Sequence, residues 1–397
     1  MVGYFAFSVH HLRGKSKLLA ALIVVIGIIG IACGNQSKTT TTKTTTTDSS
    51  CFAYRSIIHY AKGFTIITKG SWKQIIVLDP WKGDTLSSYA LLAKNADIPK
   101  TLRKGTIVVR IPINTIATLS STHIGALIML GLRNSIKGVS NGDQLWDTIL
   151  LRRFKKGEVV EVDHQMTNNI EQILALAPDL VMKSGFENVR NQDARLSEAG
   201  IPIAYNLEWM ESDMLARAEW IKFVAAFYGK EALADSLFRG IESRYNNIKN
   251  LAASQPKQTV LFNMNYKGTW YLPGANSYAA GMVRDAGAVY HIEGNDRGSK
   301  PVNFEQVLDA HANDNIWLNV EARTLDELGK ADERYKLFKA YKNGEVYNYD
   351  KRLNAAGGND YWESGTVHPD VLLKDEVKIL HPDLLKDYEM VYWRKIR

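Results

Sequence analysis

The stretch that decides the fold runs from Asn169 to Gly185 and reads NIEQILALAPDLVMKSG. Asn169 is suited to cap a helix whose apolar residues Ile170, Ile173, Leu174 and Ala177 follow the i, i+3, i+4, i+7 stripe of a helix lying on a core. Pro178-Asp179 is expected to end that helix, and Leu180 to Met182 reads as a short buried strand. The pattern returns from Asn303 to Asn319 as NFEQVLDAHANDNIWLN, with Asn, Glu, Gln and Leu matched at 169/303, 171/305, 172/306 and 174/308. Two copies so far apart imply two lobes built alike, each with a glutamate, Glu171 or Glu305, in the first turn of a similar helix.

Working outward, strands alternate with helices on both sides of the first copy. Ile107–Arg110, Ile116–Leu119, Ile136–Ser140 and Ile203–Tyr205 read as strands, with helices opening at Ser120 and running through Val189–Ala199. That alternation predicts βαβ units and a mainly parallel sheet. Glu211 to Ser254 breaks the rhythm: it is long, helical in period and without a strand signal. A helix of about 20 residues covers about 30 Å, the width of a domain, so the segment is expected to bridge lobes. After Pro256 the α/β rhythm restarts with a strand at Thr259–Phe262, helices at Ser277–Ala286 and Leu325–Tyr341, a strand at Glu345–Tyr349 and a helix at Asp370–Leu380. Ahead of it all, Phe64 to Ala93 alternates around turn residues as an antiparallel hairpin or meander. The fold class expected is α/β: two Rossmann-like lobes joined by a single long helix, with an N-terminal antiparallel meander.

The first residues are of another kind. Arg13, Lys15 and Lys17 precede an uncharged run from Leu18 to Ala32 that ends at Cys33. A basic region, an apolar core and small residues ahead of a cysteine form a secretory signal, and the cysteine resembles the lipidation site of a bacterial lipoprotein. The run is shorter than the roughly 20 residues that span a bilayer. SKTTTTKTTTTDSS, residues 37–50, follows as a polar tether. The expected organisation is therefore a signal peptide at 1–32, a lipidated cysteine and tether at 33–52, a first lobe at 53–210, a helical linker at 211–254 and a second lobe at 255–397. Loss of the signal's three cations takes the formal charge from +7 to +4, so the basic balance is mild and nothing points to nucleic acid. Cys51 is the only cysteine after Cys33, which leaves no intramolecular disulfide to form.

Ligands of open parallel sheets bind at loops leaving the carboxyl ends of strands. Those loops are SSTH (120–123), NGDQLW (141–146), SGFE (184–187), NLEW (206–209), NYKGTWY (265–271) and the segment 350–365. They supply Trp146, Phe186, Trp209, Tyr266, Trp270, Tyr361 and Trp362, interleaved with Lys267 and Arg352, while Ser121, Thr122 and His123 offer hydroxyls, an imidazole and helix N-terminal N–H groups. Flat rings with a few cations suit a large ligand with apolar faces and some negative charge. His123, His164, His291, His311 and His368 are dispersed, with no metal-ligand spacing. No GxSxG, P-loop or HExxH occurs, so no catalytic residue, cofactor or metal site is assigned; an extracytoplasmic hydrolase is the alternative from another class.

Roughly from Thr106 to Tyr388 the chain resembles the class III substrate-binding proteins of ABC importers, the ferric-siderophore and vitamin B12 binding family. The resemblance is carried by IATLSSTHIGALIMLG, IKGVSN, NIEQILALAPDLVMKSG, AGIPI, ARAEWIKFVAAFYGKE, NSYAAGMVRDAGA and VNFEQVLDA. It implies a cleft between two lobes bridged by one helix, limited hinge motion, and no enzymatic activity. It implies also that Glu171 and Glu305 dock onto arginines of a permease dimer that works with an ATPase. The resulting expectation is an extracytoplasmic, membrane-anchored lipoprotein that captures a metal chelate: a ferric siderophore first, with cobalamin, cobinamide or haem as alternatives. The meander at 64–93 lies outside the strongest match and has no functional reading from sequence.

Overall fold

A computed structural model describes residues 52, 54–164, 167–185 and 190–397; the signal segment, Cys33, the tether and Phe186 lie outside the described residues. The first lobe is a six-stranded sheet of β5 (Ile116–Thr118), β6 (Ile136–Ser140), β7 (Val160–His164), β8 (Thr167–Asn168), β9 (Leu180–Lys183) and β10 (Ile203–Tyr205). Its order is β10-β9-β5-β6-β7-β8, parallel throughout except for the β7–β8 edge. The opening stretch behaves as its pattern dictates. Asn169 Oδ1 accepts the Gln172 N–H at 3.1 Å, and Ile170 and Ile173 are buried while Glu171 faces solvent. The helix stops at Leu176, one residue earlier than the apolar stripe predicts, because Ala177 adopts a left-handed conformation (φ 44°).

The second lobe repeats the design on a smaller sheet, β11 (Val260–Phe262), β15 (Ile316–Leu318), β16 (Val346–Asn348) and β17 (Arg394–Lys395), with β17 antiparallel. Asn303 caps the matching helix, Phe304–His311, and there the capping box is complete: Gln306 Oε1 accepts the Asn303 N–H at 3.0 Å. Beside this sheet lies an antiparallel group, β12 (Asn265–Tyr266), β13 (Thr269–Pro273) and β14 (Ser299–Val302). It occupies the stretch the sequence reads as a loop. Lys267 and Gly268 both take positive φ (51° and 90°), the geometry of a two-residue hairpin turn.

The linker is helical, as its period requires, but in three pieces: Met214–Glu219, Ile221–Ala226 and Glu231–Ala253. Gly229 (φ 64°) marks the break before the third piece, whose 23 residues span about 34 Å. The Pro369–Leu380 helix packs along it.

The amino-terminal sheet contains the expected meander, β1 (Phe64–Thr68), β2 (Lys73–Leu78) and β3 (Thr85–Ala93). It also takes β4 (Ile107–Ile111), which the sequence assigns to the first lobe; β4 pairs parallel with β3 instead. Buried carboxylates of the linker hold this sheet in place. Glu219 accepts N–H groups of His59, Tyr60 and Ala61, and Glu211 those of Lys62 and Gly63, at 2.7–3.2 Å. Lys73, buried on the inner face of β2, pairs with Glu231 at the start of the long helix. None of the described helices is long and apolar enough to cross a membrane.

Candidate functional site

The carboxyl ends of the two parallel sheets face a shared cleft. One chamber, of about 330 Å³, is walled by Trp209 after β10, Tyr349 after β16, Tyr278 and the pair Tyr361–Trp362. Tyr349 and Tyr361 stack at 4.3 Å with an interplanar angle of 26°, and Trp362 stands edge-on to both at 5.5 and 4.8 Å. Trp393 and Glu376 close its wall. Burial, reinforced by Asp375 and Asp285, pushes the Glu376 carboxyl well above its usual range. Glu376 Oε2 and Trp393 Nε1 have no hydrogen-bond partner among the described residues. Beyond Trp362 a polar chamber of about 510 Å³ continues the cleft, lined by Ser121 and Asn141 from the first lobe and Glu321, Arg323, Asn348 and Asn359 from the second.

A further cavity, of about 1020 Å³, lies where the long helix passes the Ile124–Met129 helix and the segments 145–151 and 352–368, and it shares Leu145, Leu353 and Glu363 with the polar chamber. It takes Leu145 and Trp146 from the loop after β6, but most of its other walls are helices and the 352–368 segment packed side by side.

Of the residues singled out from sequence, Trp209, Tyr361 and Trp362 meet in the aromatic chamber, and Ser121 lines the polar one. Trp146 and Arg352 are displaced to the large rear cavity, with the guanidinium 5.1 Å from the Trp146 ring and 2.6 Å from Asp360. Arg352 thus faces an internal carboxylate in an ion pair without hydrogen-bond geometry, and it does not line either cleft chamber. Trp270 is fully buried: on β13 it alternates inward with Leu272, stacks on Trp317 at 5.8 Å and donates Nε1–H to the Phe262 carbonyl at 2.8 Å. It is a core residue of the second lobe. Tyr266 and Lys267 sit exposed at the β12–β13 turn, outside the cleft lining, with the Lys267 ammonium over the Tyr266 ring.

His123 is also buried, its Nδ1 3.2 Å from Thr118 Oγ1 and its Nε2 3.4 Å from Ser184 Oγ. Burial lowers its pKa to about 4, which keeps it neutral and makes it a poor general base near pH 7. Thr122 Oγ1 is engaged with Ser120 Oγ at 2.9 Å, and its carbonyl accepts the Thr366 hydroxyl. Among the described residues no group of three His, Cys, Asp or Glu side chains is placed to hold a metal ion.

Sequence reasoning missed Tyr278, Tyr349, Glu376 and Trp393. Tyr349 directly follows β16, so the strand-end rule would have found it with the strand boundary one residue earlier. Tyr278 is hidden as the first residue of a Ser277-capped helix, and Trp393 enters only through the short strand β17.

Glu171 and Glu305 are both about three-quarters exposed, on separate lobes. Each meets one arginine of its own lobe: Arg195 lies 2.5 Å from Glu171 and Arg334 3.3 Å from Glu305.

Two α/β lobes, a helical bridge and a cleft at the strand ends define a bilobal binding protein. The chain belongs to the periplasmic binding protein family, whose model matches residues 116–353, and within it to the class III substrate-binding proteins of ABC importers. These are binding proteins rather than enzymes, and they work with permease and ATPase components. An uncharacterized lipoprotein of Methanocaldococcus jannaschii is 26% identical over 412 residues, covering 96% of each chain. Among solved structures, a possible iron-binding periplasmic solute-binding protein from Staphylococcus epidermidis aligns with a TM-score of 0.53 at 20% identity, over 68% of this chain and 98% of that one. The S. aureus protein IsdE, complexed with heme, aligns with a TM-score of 0.50 at 20% identity, over 67% and 98%. At these identities the structural likeness speaks for the fold alone.

Proposed function

We propose that this protein is a membrane-anchored extracytoplasmic receptor that captures a ferric siderophore between its lobes and hands it to an ABC permease. The observation that carries the ligand class is the aromatic chamber of Trp209, Tyr278, Tyr349, Tyr361 and Trp362 opening onto a polar chamber. Flat rings accept the apolar faces of a chelate, and the polar annex accepts its oxygens. Anchoring rests on the lipoprotein-type cysteine, Cys33, and is supported by the archaeal relative's being called a lipoprotein. Glu171 and Glu305, exposed at corresponding helix starts on the two lobes, are the groups assigned to the permease dimer, one per subunit.

Haem or a corrin such as cobalamin or cobinamide is the second reading, favoured by the stacked Tyr349–Tyr361 pair. A titration of the protein's tryptophan fluorescence with ferric siderophores, haem, cobalamin and cobinamide separates the two. Saturable quenching by a ferric siderophore at lower concentration than by any tetrapyrrole is expected. Tighter binding of a tetrapyrrole selects the second reading, and silence across the whole panel removes both.

A further inference from the structure

Past Met210 and Glu211 the cleft continues into an outer recess of about 380 Å³. Its far wall comes from neither lobe. It is the turn between β2 and β3, residues 79–84, carried by the amino-terminal sheet that precedes the family-matched residues. Asp79 Oδ1 shapes this turn by accepting the N–H groups of Trp81 and Lys82 at 2.9 and 3.0 Å. Trp81 is 55% exposed, an unusual position for a large ring, and meets Trp209 of the cleft edge-on at 6.4 Å.

The base of the sheet is fixed by the carboxylates of Glu211 and Glu219 already described. Close packing adds to this, since a Cβ at Gly63 would come within 2.8 Å of the Trp220 ring. The turn is therefore held at the cleft rather than hanging beside it.

Three cations, Lys62, Lys82 and Arg297, line the recess, all exposed and none in an ion pair among the described residues. Two carboxylates share the lining, Asp79 engaged by the turn and Glu211 by the Lys62 and Gly63 N–H groups, by Trp220 Nε1–H at 3.0 Å and by the field of Arg297, so three cations against two acids leave a formal excess of one positive charge. Positive charge in excess beside the Trp81 indole, with Trp209 next to it in the adjoining chamber, is complementary to a flat anionic group.

We propose that the β2–β3 turn is a third wall of the ligand site, and that its recess receives an anionic arm of the carried chelate between Trp81 and the three cations, next to Trp209 of the adjoining chamber. This rests on the reading of the inter-lobe cleft as the ligand site. Two probes of different charge test it: a trianionic ferric tricatecholate and a neutral ferric trihydroxamate, each titrated into the full chain by tryptophan fluorescence. The triple variant Lys62→Gln, Lys82→Gln, Arg297→Gln changes exposed side chains only, and Trp81→Ala is its partner. Each is expected to weaken the tricatecholate at least about tenfold, with the trihydroxamate changed less than about twofold. Equal weakening of both probes, no change in either, or binding of the trihydroxamate alone by the unaltered protein overturns the third wall and leaves the cleft in place. Failure of both probes to bind the unaltered protein overturns the cleft reading and the proposal together.

Discussion

Glu363 seats the carboxyl-terminal segment on the first lobe, and its replacement by Gln tests that seating. Its carboxylate, 3% exposed, accepts the Trp146 and Asp147 N–H groups at 2.7 Å each, and Gly125 packs so closely that a Cβ there would lie 2.3 Å from the Glu363 carbonyl oxygen. Burial is the main cause that raises its pKa from 4.5 to about 7; Asp360 and Asp147 push the same way, while the two N–H groups resist. A raised acid binds its proton more tightly in the folded state. Its contribution is fully present below the unfolded value of 4.5 and is lost as pH rises through 7. A rise of about 2.5 units at 1.36 kcal/mol per unit makes that loss roughly 3 kcal/mol. Glu363→Gln has no proton to bind, so its stability lacks this dependence. Urea unfolding of both proteins at several pH values between 4.5 and 8 measures the difference. The wild type should lose roughly 3 kcal/mol relative to the variant across that window. Parallel pH profiles would show that Glu363 is not desolvated as the geometry requires.

Trp270→Ala should cost about 3–5 kcal/mol of stability by calorimetry or urea unfolding, through the cavity it leaves beside Trp317, while the surviving folded protein keeps its ligand affinity. Trp362→Ala, by contrast, should weaken binding of the chelate selected by titration at least tenfold, about 1.4 kcal/mol, and unaltered affinity would move the site out of the cleft. Reversal of both Glu171 and Glu305 to Arg should abolish permease-dependent uptake with affinity unchanged, and a fall in affinity would refute their docking role. Cys33→Ser should shift the protein from the membrane to the soluble fraction; retention on the membrane would point to an uncleaved anchor.

The lobes were legible because their signals are local and repeated. Asn169 and Asn303 cap, Ile170 and Ile173 or Phe304 and Val307 turn inward, and a strand follows each time. The site was half legible. Strand ends pointed to Trp209, Tyr361 and Trp362, but the same rule named Trp270, since a hairpin built on Lys267-Gly268 lacks the Asn-Gly or Asp-Gly pair that announces such turns. Arg352 was misread for another reason: its partner, Asp360, is near in sequence, but only burial of that acid makes the pairing obligatory. Glu376 carries no sequence signal, because a carboxyl on a helix face reads as solvated until the packing around it is known. The assignment of β4 failed because strand pairing is a long-range choice, and a β-branched run such as Ile107–Ile111 fits either sheet.

The carboxylate staples beneath the amino-terminal sheet bear on mechanics. Tyr54 and Ser56 donate their hydroxyls to Asp235, and the five backbone N–H groups that follow, from His59 to Gly63, are gripped by Glu219 and Glu211. All three acids belong to the helical bridge or its entry rather than to either sheet's strands. A pull arriving along the chain ahead of Tyr54 therefore loads the bridge, several bonds in parallel, before it reaches a lobe. The strand ends that line the cleft are thereby shielded from force entering ahead of Tyr54.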